Sequence, residues 1–195
     1  MPSKREIDRW MTNSLDKGGR WVVVSPSAEV ANQFGLTLAV CANSKTQSVF
    51  GRIEDFSTEW VENRLMQWEH LIPHILSEES VWSSKVMERL IKQGSGVSVC
   101  MPPAPVRKNV LTKVWRNVSF GGTGGVLTLQ GTSLDDVFDS IAEDAVEAGM
   151  VRRDAGMLVD GMVLLDADGN MEKVYDVYWK KEELGYVKES VYIGE

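Results

Sequence analysis

The sequence predicts an α+β domain: a mixed, mostly antiparallel sheet with roughly three to five helices packed on it. Three observations predict it. Amphipathic helical stretches and strand-like runs follow one another without regular strand-helix alternation. The last 45 or so residues read as strands joined by short turns, and short turns join antiparallel neighbours. A tight Asp-Gly turn sits between two apolar runs at 161–179, which is a strong hairpin signal. A doubly wound parallel sheet is the less expected arrangement on these grounds.

Taken in order, Ser3 and Glu6 have the spacing of a capping box, and Ile7, Trp10, Met11 and Leu15 recur at helical period until Gly18-Gly19 stops them. "RWVVVS" reads as a buried strand. Ser25-Pro26 suggests the start of a short helix that Gly35 ends, and "LTLAVCA" reads as a second strand. "SVFGRI" reads as a third. Ser57 can cap a helix with Val61, Leu65, Trp68 and Ile72 on one stripe, which Pro73 breaks. Val81, Trp82, Val86, Leu90 and Ile91 mark another amphipathic helix.

From Gly96 the period becomes that of strands. "GVSVCM" leads into "PPAP" at 102–105, the candidate internal joint of an otherwise single domain spanning 1–195. "NVLTKVWRNVSF" alternates, and "GGTGG" separates it from "VLTLQ", which suggests a hairpin. Ser133 caps the helix "LDDVFDSIAEDAVEAG". Strands near "MVRR", "MLVDGMVLL", "EKVYDVYW" and "YVKESVYI" close the chain.

The 195-residue chain can bury a sizeable core, and its formal net charge of −7 disfavours nonspecific attraction to nucleic acid or anionic lipid. Cys41 and Cys100 both lie in apolar runs, where reduced core thiols are expected. The charged opening "MPSKREIDRW" lacks the apolar core of a signal peptide, and no segment has the apolar length of a membrane span. The expected setting is therefore cytoplasmic or otherwise intracellular.

Few motifs carry chemistry. Asp166, Asp168 and Asn170 match the first ligands of a calcium loop, but Met171 stands where that loop needs glycine and Val177 where it needs a bidentate glutamate. A structural turn is the better reading. "GGTGG" could offer amides to an anion, yet it lacks the Lys-Ser/Thr pair of a phosphate loop. His70 and His74 flank Pro73, which breaks the helix a chelating pair would need. No catalytic residue, cofactor or metal ligand is assigned.

Two surfaces stand out by charge. The acids Asp135, Asp136, Asp139, Glu143, Asp144 and Glu147 form an unbroken acidic run suited to docking a basic partner. Arg107, Lys108, Lys113 and Arg116 surround Trp115 on a strand-like run, the combination on which a base can stack beside a phosphate contact. "PPAP" resembles the Pro-Ser/Thr-Ala-Pro peptides of viral structural proteins, with Pro103 in place of the hydroxyl residue. The order of two central helices, a Pro-rich joint, a hairpin and a late acidic helix resembles rhabdovirus matrix proteins, a likeness of element order from which no family is assigned.

The expected function is a non-catalytic protein–protein interaction or assembly protein that self-associates, the partner being a second copy or another protein. Seven tryptophans favour it, since tryptophan is enriched at interfaces. The alternatives are a nucleic-acid-binding, matrix-like protein using 107–117, and a small-molecule enzyme with a fold-assembled carboxylate site.

Overall fold

The computed structural model describes residues 3–42, 74–76, 97–100, 124–147 and 149–194. Helix α1 (Lys4–Asp16) opens with the expected capping box: the Ser3 hydroxyl accepts from the Glu6 amide, and the Ser3 amide donates to Glu6 Oε2 at 2.7 Å. The backbone hydrogen bond from Ser3 holds the Glu6 carboxyl below its ordinary range. Ile7, Met11 and Leu15 are buried one turn apart, so a single stripe faces the core.

Strand β1 (Arg20–Ser25) is fully buried from Trp21 onward. Helix α2 follows as Ala28–Ala42, and here the sequence reading is corrected. "LTLAVCA" is the second half of this helix and not a strand, and Gly35 is a buried interior residue of it. Ala31, Leu38, Ala39 and Ala42 are its buried face, a helical spacing that the continuous apolar run concealed. Cys41, expected in the core, is an exposed free thiol on that helix.

Strands β2 (His74–Leu76), β3 (Val97–Cys100) and β4 (Gly124–Gln130) come next. Helix α3 (Leu134–Glu147) has Ser133 as its cap, whose hydroxyl accepts from the Asp136 amide at 3.2 Å. Residues Arg152–Leu158 form a 3-10 helix, so the strands expected at "MVRR" and "MLV" do not form. Strands β5 (Gly161–Leu165), β6 (Met171–Lys180) and β7 (Gly185–Ile193) complete the chain. The expected helices in 57–72 and 81–91, the strand at "SVFGRI", the joint at 102–105 and the strand-like run 109–120 lie outside the described residues.

The seven strands form one mixed sheet in the order β2-β3-β4-β1-β5-β6-β7, with helices packed on it, as an α+β chain requires. The balance of directions differs from expectation. Pairs β2–β3, β3–β4, β4–β1 and β1–β5 are parallel; only β5–β6 and β6–β7 are antiparallel. Strand β4 is flanked on both sides by parallel partners, Val126 pairing with both Val99 and Trp21, so it is not half of a hairpin with the preceding run.

Helices cover both faces of the parallel part. On one, α1 and α2 bury Trp21, Val23, Val126, Val163 and Leu165. On the other, α3 and the 3-10 helix bury Val22, Val24, Leu127, Met162 and Leu164. Strands covered on both faces can be apolar at every position, which is why β1 and β5 read as continuous apolar runs. Gly161 is demanded by close approach: a Cβ there would lie 2.4 Å from the Trp21 ring.

Candidate functional site

In open sheets of parallel strands, ligands settle at the carboxyl ends where neighbouring connections leave toward opposite faces. Here that point lies between β1, which leads to α2 on one face, and β4, which leads to α3 on the other. It is stitched by hydrogen bonds. The Gly131 amide donates to the Ser25 carbonyl at 2.9 Å, and Gln130 Nε2 to the Pro26 carbonyl at 2.9 Å. Ser25 Oγ donates to the Asp166 carbonyl at 3.1 Å and accepts from the Ser27 amide, and the Ser27 and Ser133 hydroxyls cap their own helices. The polar groups gathered there serve the fold.

The same holds for the calcium-like motif. Asp166 Oδ1 accepts from the amides of Asp168 (2.9 Å) and Asn170 (2.8 Å), while Oδ2 accepts from Asn170 Nδ2. Gly169 supplies the positive φ of +87°. The hydrogen bond from Asn170 holds the Asp166 carboxyl below its ordinary range. The turn joins β5 to β6, setting Met162 opposite Tyr175 as the hairpin reading expects. Among the described residues no group of three or more His, Cys, Asp or Glu side chains is placed to hold a metal ion.

At the amino ends of β1 and β5 the surface opens into a cleft of about 440 Å³, walled by Trp10, Asn13, Ser14 and Lys17 of the end of α1 and floored by Arg20 and Asp160. Asp160 clamps Arg20: its Oδ2 accepts from the Arg20 Nε at 2.7 Å and amide at 2.8 Å, and its Oδ1 from Nη2 at 3.0 Å. Trp10 meets the buried Trp21 edge to face, with ring centroids 4.9 Å apart. The Trp21 indole N–H has no hydrogen-bond partner among the described residues. Beyond the clamp, Asp176 on β6 is half-buried; burial first, then the charges of Glu189 and Asp160, push its carboxyl above the ordinary range.

The acidic run of α3 is less uniform than its sequence. Asp135, Asp136, Asp139, Glu143 and Glu147 are exposed, whereas Asp144 is 5% exposed and belongs to the helix's buried side, correcting its place on a docking face. Asp135 and Asp139 are met by cations from elsewhere in the chain. Lys188 Nζ donates to Asp135 Oδ1 at 2.6 Å and Tyr175 Oη to Oδ2 at 2.9 Å. Those bonds, that from Lys188 foremost, hold the Asp135 carboxyl below its ordinary range. Arg152 Nη2 reaches Asp139 at 3.3 Å. The sequence hides both partners because they arrive from β7 and the 3-10 helix. Arg107, Lys108, Lys113, Trp115 and Arg116 lie outside the described residues, as does His70. Of "GGTGG", Gly124 and Gly125 belong to β4 and are buried.

The largest apolar exposure among the described residues gathers on the β6–β7 hairpin. Trp179 is 45% exposed, Leu184 67% and Ile193 54%, and Tyr178 is also exposed. Trp179 packs edge to face on Tyr186 at 5.3 Å. Strand β7 ends the sheet. No described helix is long and apolar enough to cross a membrane. No family model matches the chain, and no curated protein matches it with significance.

Proposed function

We propose that the chain is a non-catalytic assembly protein that self-associates through the β6–β7 edge. The observation that carries this reading is the coincidence of an edge strand with no outer partner among the described residues and exposed Trp179 and Leu184 at its regular end. An open edge presents a row of unpaired backbone donors and acceptors, and an antiparallel strand can pair with its own copy about a two-fold axis. Large aromatic and aliphatic side chains beside such an edge supply the apolar burial that backbone pairing alone lacks.

Charge supports a second copy as the occupant. Between Met171 and Gly194 stand four lysines (173, 180, 181 and 188) against five acids (172, 176, 182, 183 and 189), in a chain whose net charge is −7. With a net charge of −1 on the hairpin, two copies can meet there with little mutual repulsion. The register shift between Val174 and Tyr175 places a bulge in β7 beside Val191, which blunts the far end of the edge; Gly185–Ser190 stays regular.

Light scattering across a concentration series tests the reading. The wild-type mass is expected to climb from 21.7 kDa toward twice that value, and Trp179→Asp to hold it at the monomer. A wild-type protein that stays monomeric throughout would sink it. The competing nucleic-acid reading requires salt-sensitive retardation of RNA or DNA that weakens in Lys113→Ala and Trp115→Ala. The enzyme reading requires a pocket lined by two or more acids, and among the described residues Asp160 is the one carboxylate lining the cleft beside Arg20.

A further inference from the structure

The geometry points to a small-molecule site in the cleft at the amino ends of β1 and β5, which we propose binds a small, flat monocarboxylate. This rests on observations separate from those behind self-association. The cleft's volume of about 440 Å³ lies in the range of roughly 300–1,000 Å³ typical of small-ligand pockets.

The recognition element is Arg20. A guanidinium carries five N–H donors in one plane. Asp160 takes the Nε–H and one Nη2–H, so the edge formed by Nη1 and the other Nη2–H has no partner among the described residues. That edge is the part of the fork that accepts a second carboxylate bidentately. The Asp160 clamp, reinforced by its bond to the Arg20 amide, fixes the plane in advance, so little rotamer freedom is left to lose on binding.

Charge and shape then narrow the ligand. Among the described lining residues Asp160 offsets one of the two cations, Arg20 and Lys17, which leaves a single net positive charge and suits a monoanion better than a dianion. Lys17 is exposed at the rim, where it can steer that anion. Trp10, half-buried and braced by Trp21, gives the wall an aromatic surface for a flat ring.

Isothermal titration of the full chain with benzoate tests this, with neutral benzamide and non-planar cyclohexanecarboxylate as comparators. Benzoate is expected to bind at one site with a Kd of about 1 mM or tighter, and each comparator at least about fivefold more weakly. Arg20→Lys keeps the charge but loses the fork, and is expected to weaken benzoate tenfold or more. Lys17→Ala removes an exposed side chain, which keeps the test independent of any folding defect in the Arg20 variant; it should weaken benzoate about threefold to fivefold. Thermal melts of both variants report folding. No heat with benzoate at about 10 mM, benzamide binding as tightly, or undiminished affinity in a folded Lys17→Ala protein would each overturn the assignment.

Discussion

The parallel half of the sheet and its antiparallel hairpin obey different rules within one continuous hydrogen-bonded surface. Strands β1 and β5 are sandwiched between helices and buried at every position from Trp21 to Ser25 and from Gly161 to Leu165. Strand β6 mixes buried with exposed positions, and β7 has no fully buried residue. Packing therefore sets the stability of the first region, while the second has apolar surface to spare for a partner. A mutation of given size should cost far more in one than in the other.

Leu127→Ala in β4 tests the difference at its largest. Leu127 is fully buried between α3 and the sheet, so its truncation is expected to destabilise by about 3 kcal/mol in denaturant unfolding. A loss under about 1 kcal/mol would show that the parallel half is loosely packed. Gly161→Ala comes next. Its new methyl would meet the Trp21 ring, itself wedged against Trp10, and overpacking of that kind costs about 1–3 kcal/mol. A neutral result would mean that Trp21 has room to move.

The smallest effect belongs to Asp135→Asn, at the contact between α3 and the hairpin. Asp135 has its carboxyl held below the ordinary range in the folded chain, so its contribution is present above the unfolded carboxylate range and fades as pH falls through the folded value. The variant should flatten the acid limb of the stability curve while changing stability at neutral pH by no more than about 0.5 kcal/mol, because the side chain is 55% exposed. An unchanged acid limb would remove Asp135 as a source of that slope.

Local chemistry made much of this legible. The Ser3–Glu6 box, the Ser133 cap and the Asp166–Asn170 turn each act within a few residues, and all appear where their spacing puts them. Strand direction does not follow from the C-terminal turns, because the antiparallel hairpins they form are only one side of the sheet. The contrary sign is in the sequence: "WVVV" and "GMVLL" are continuous apolar runs, the mark of strands covered on both faces, whereas "MEKVYDVYWK" intersperses charged residues among apolar ones. In α2, Gly35 has the look of a helix stop, although Ala31, Leu38, Ala39 and Ala42 carry a helical stripe across it. The cleft left no such trace. Its two charged floor residues stand 140 positions apart, and only the pairing of β1 with β5 brings them together.

The place of β1 also sets an order of events for a chain made from its amino end. It is apolar from Trp21 to Val24 and emerges before its ladder partners β4 and β5, whose paired residues lie more than a hundred positions downstream. A nascent chain must carry this strand without these two ladder partners until more than a hundred further residues have been made. Such long-range pairing slows folding and prolongs the exposure of a sticky segment. Helix α1, with its own cap and an apolar stripe, is the nearest cover available during that wait.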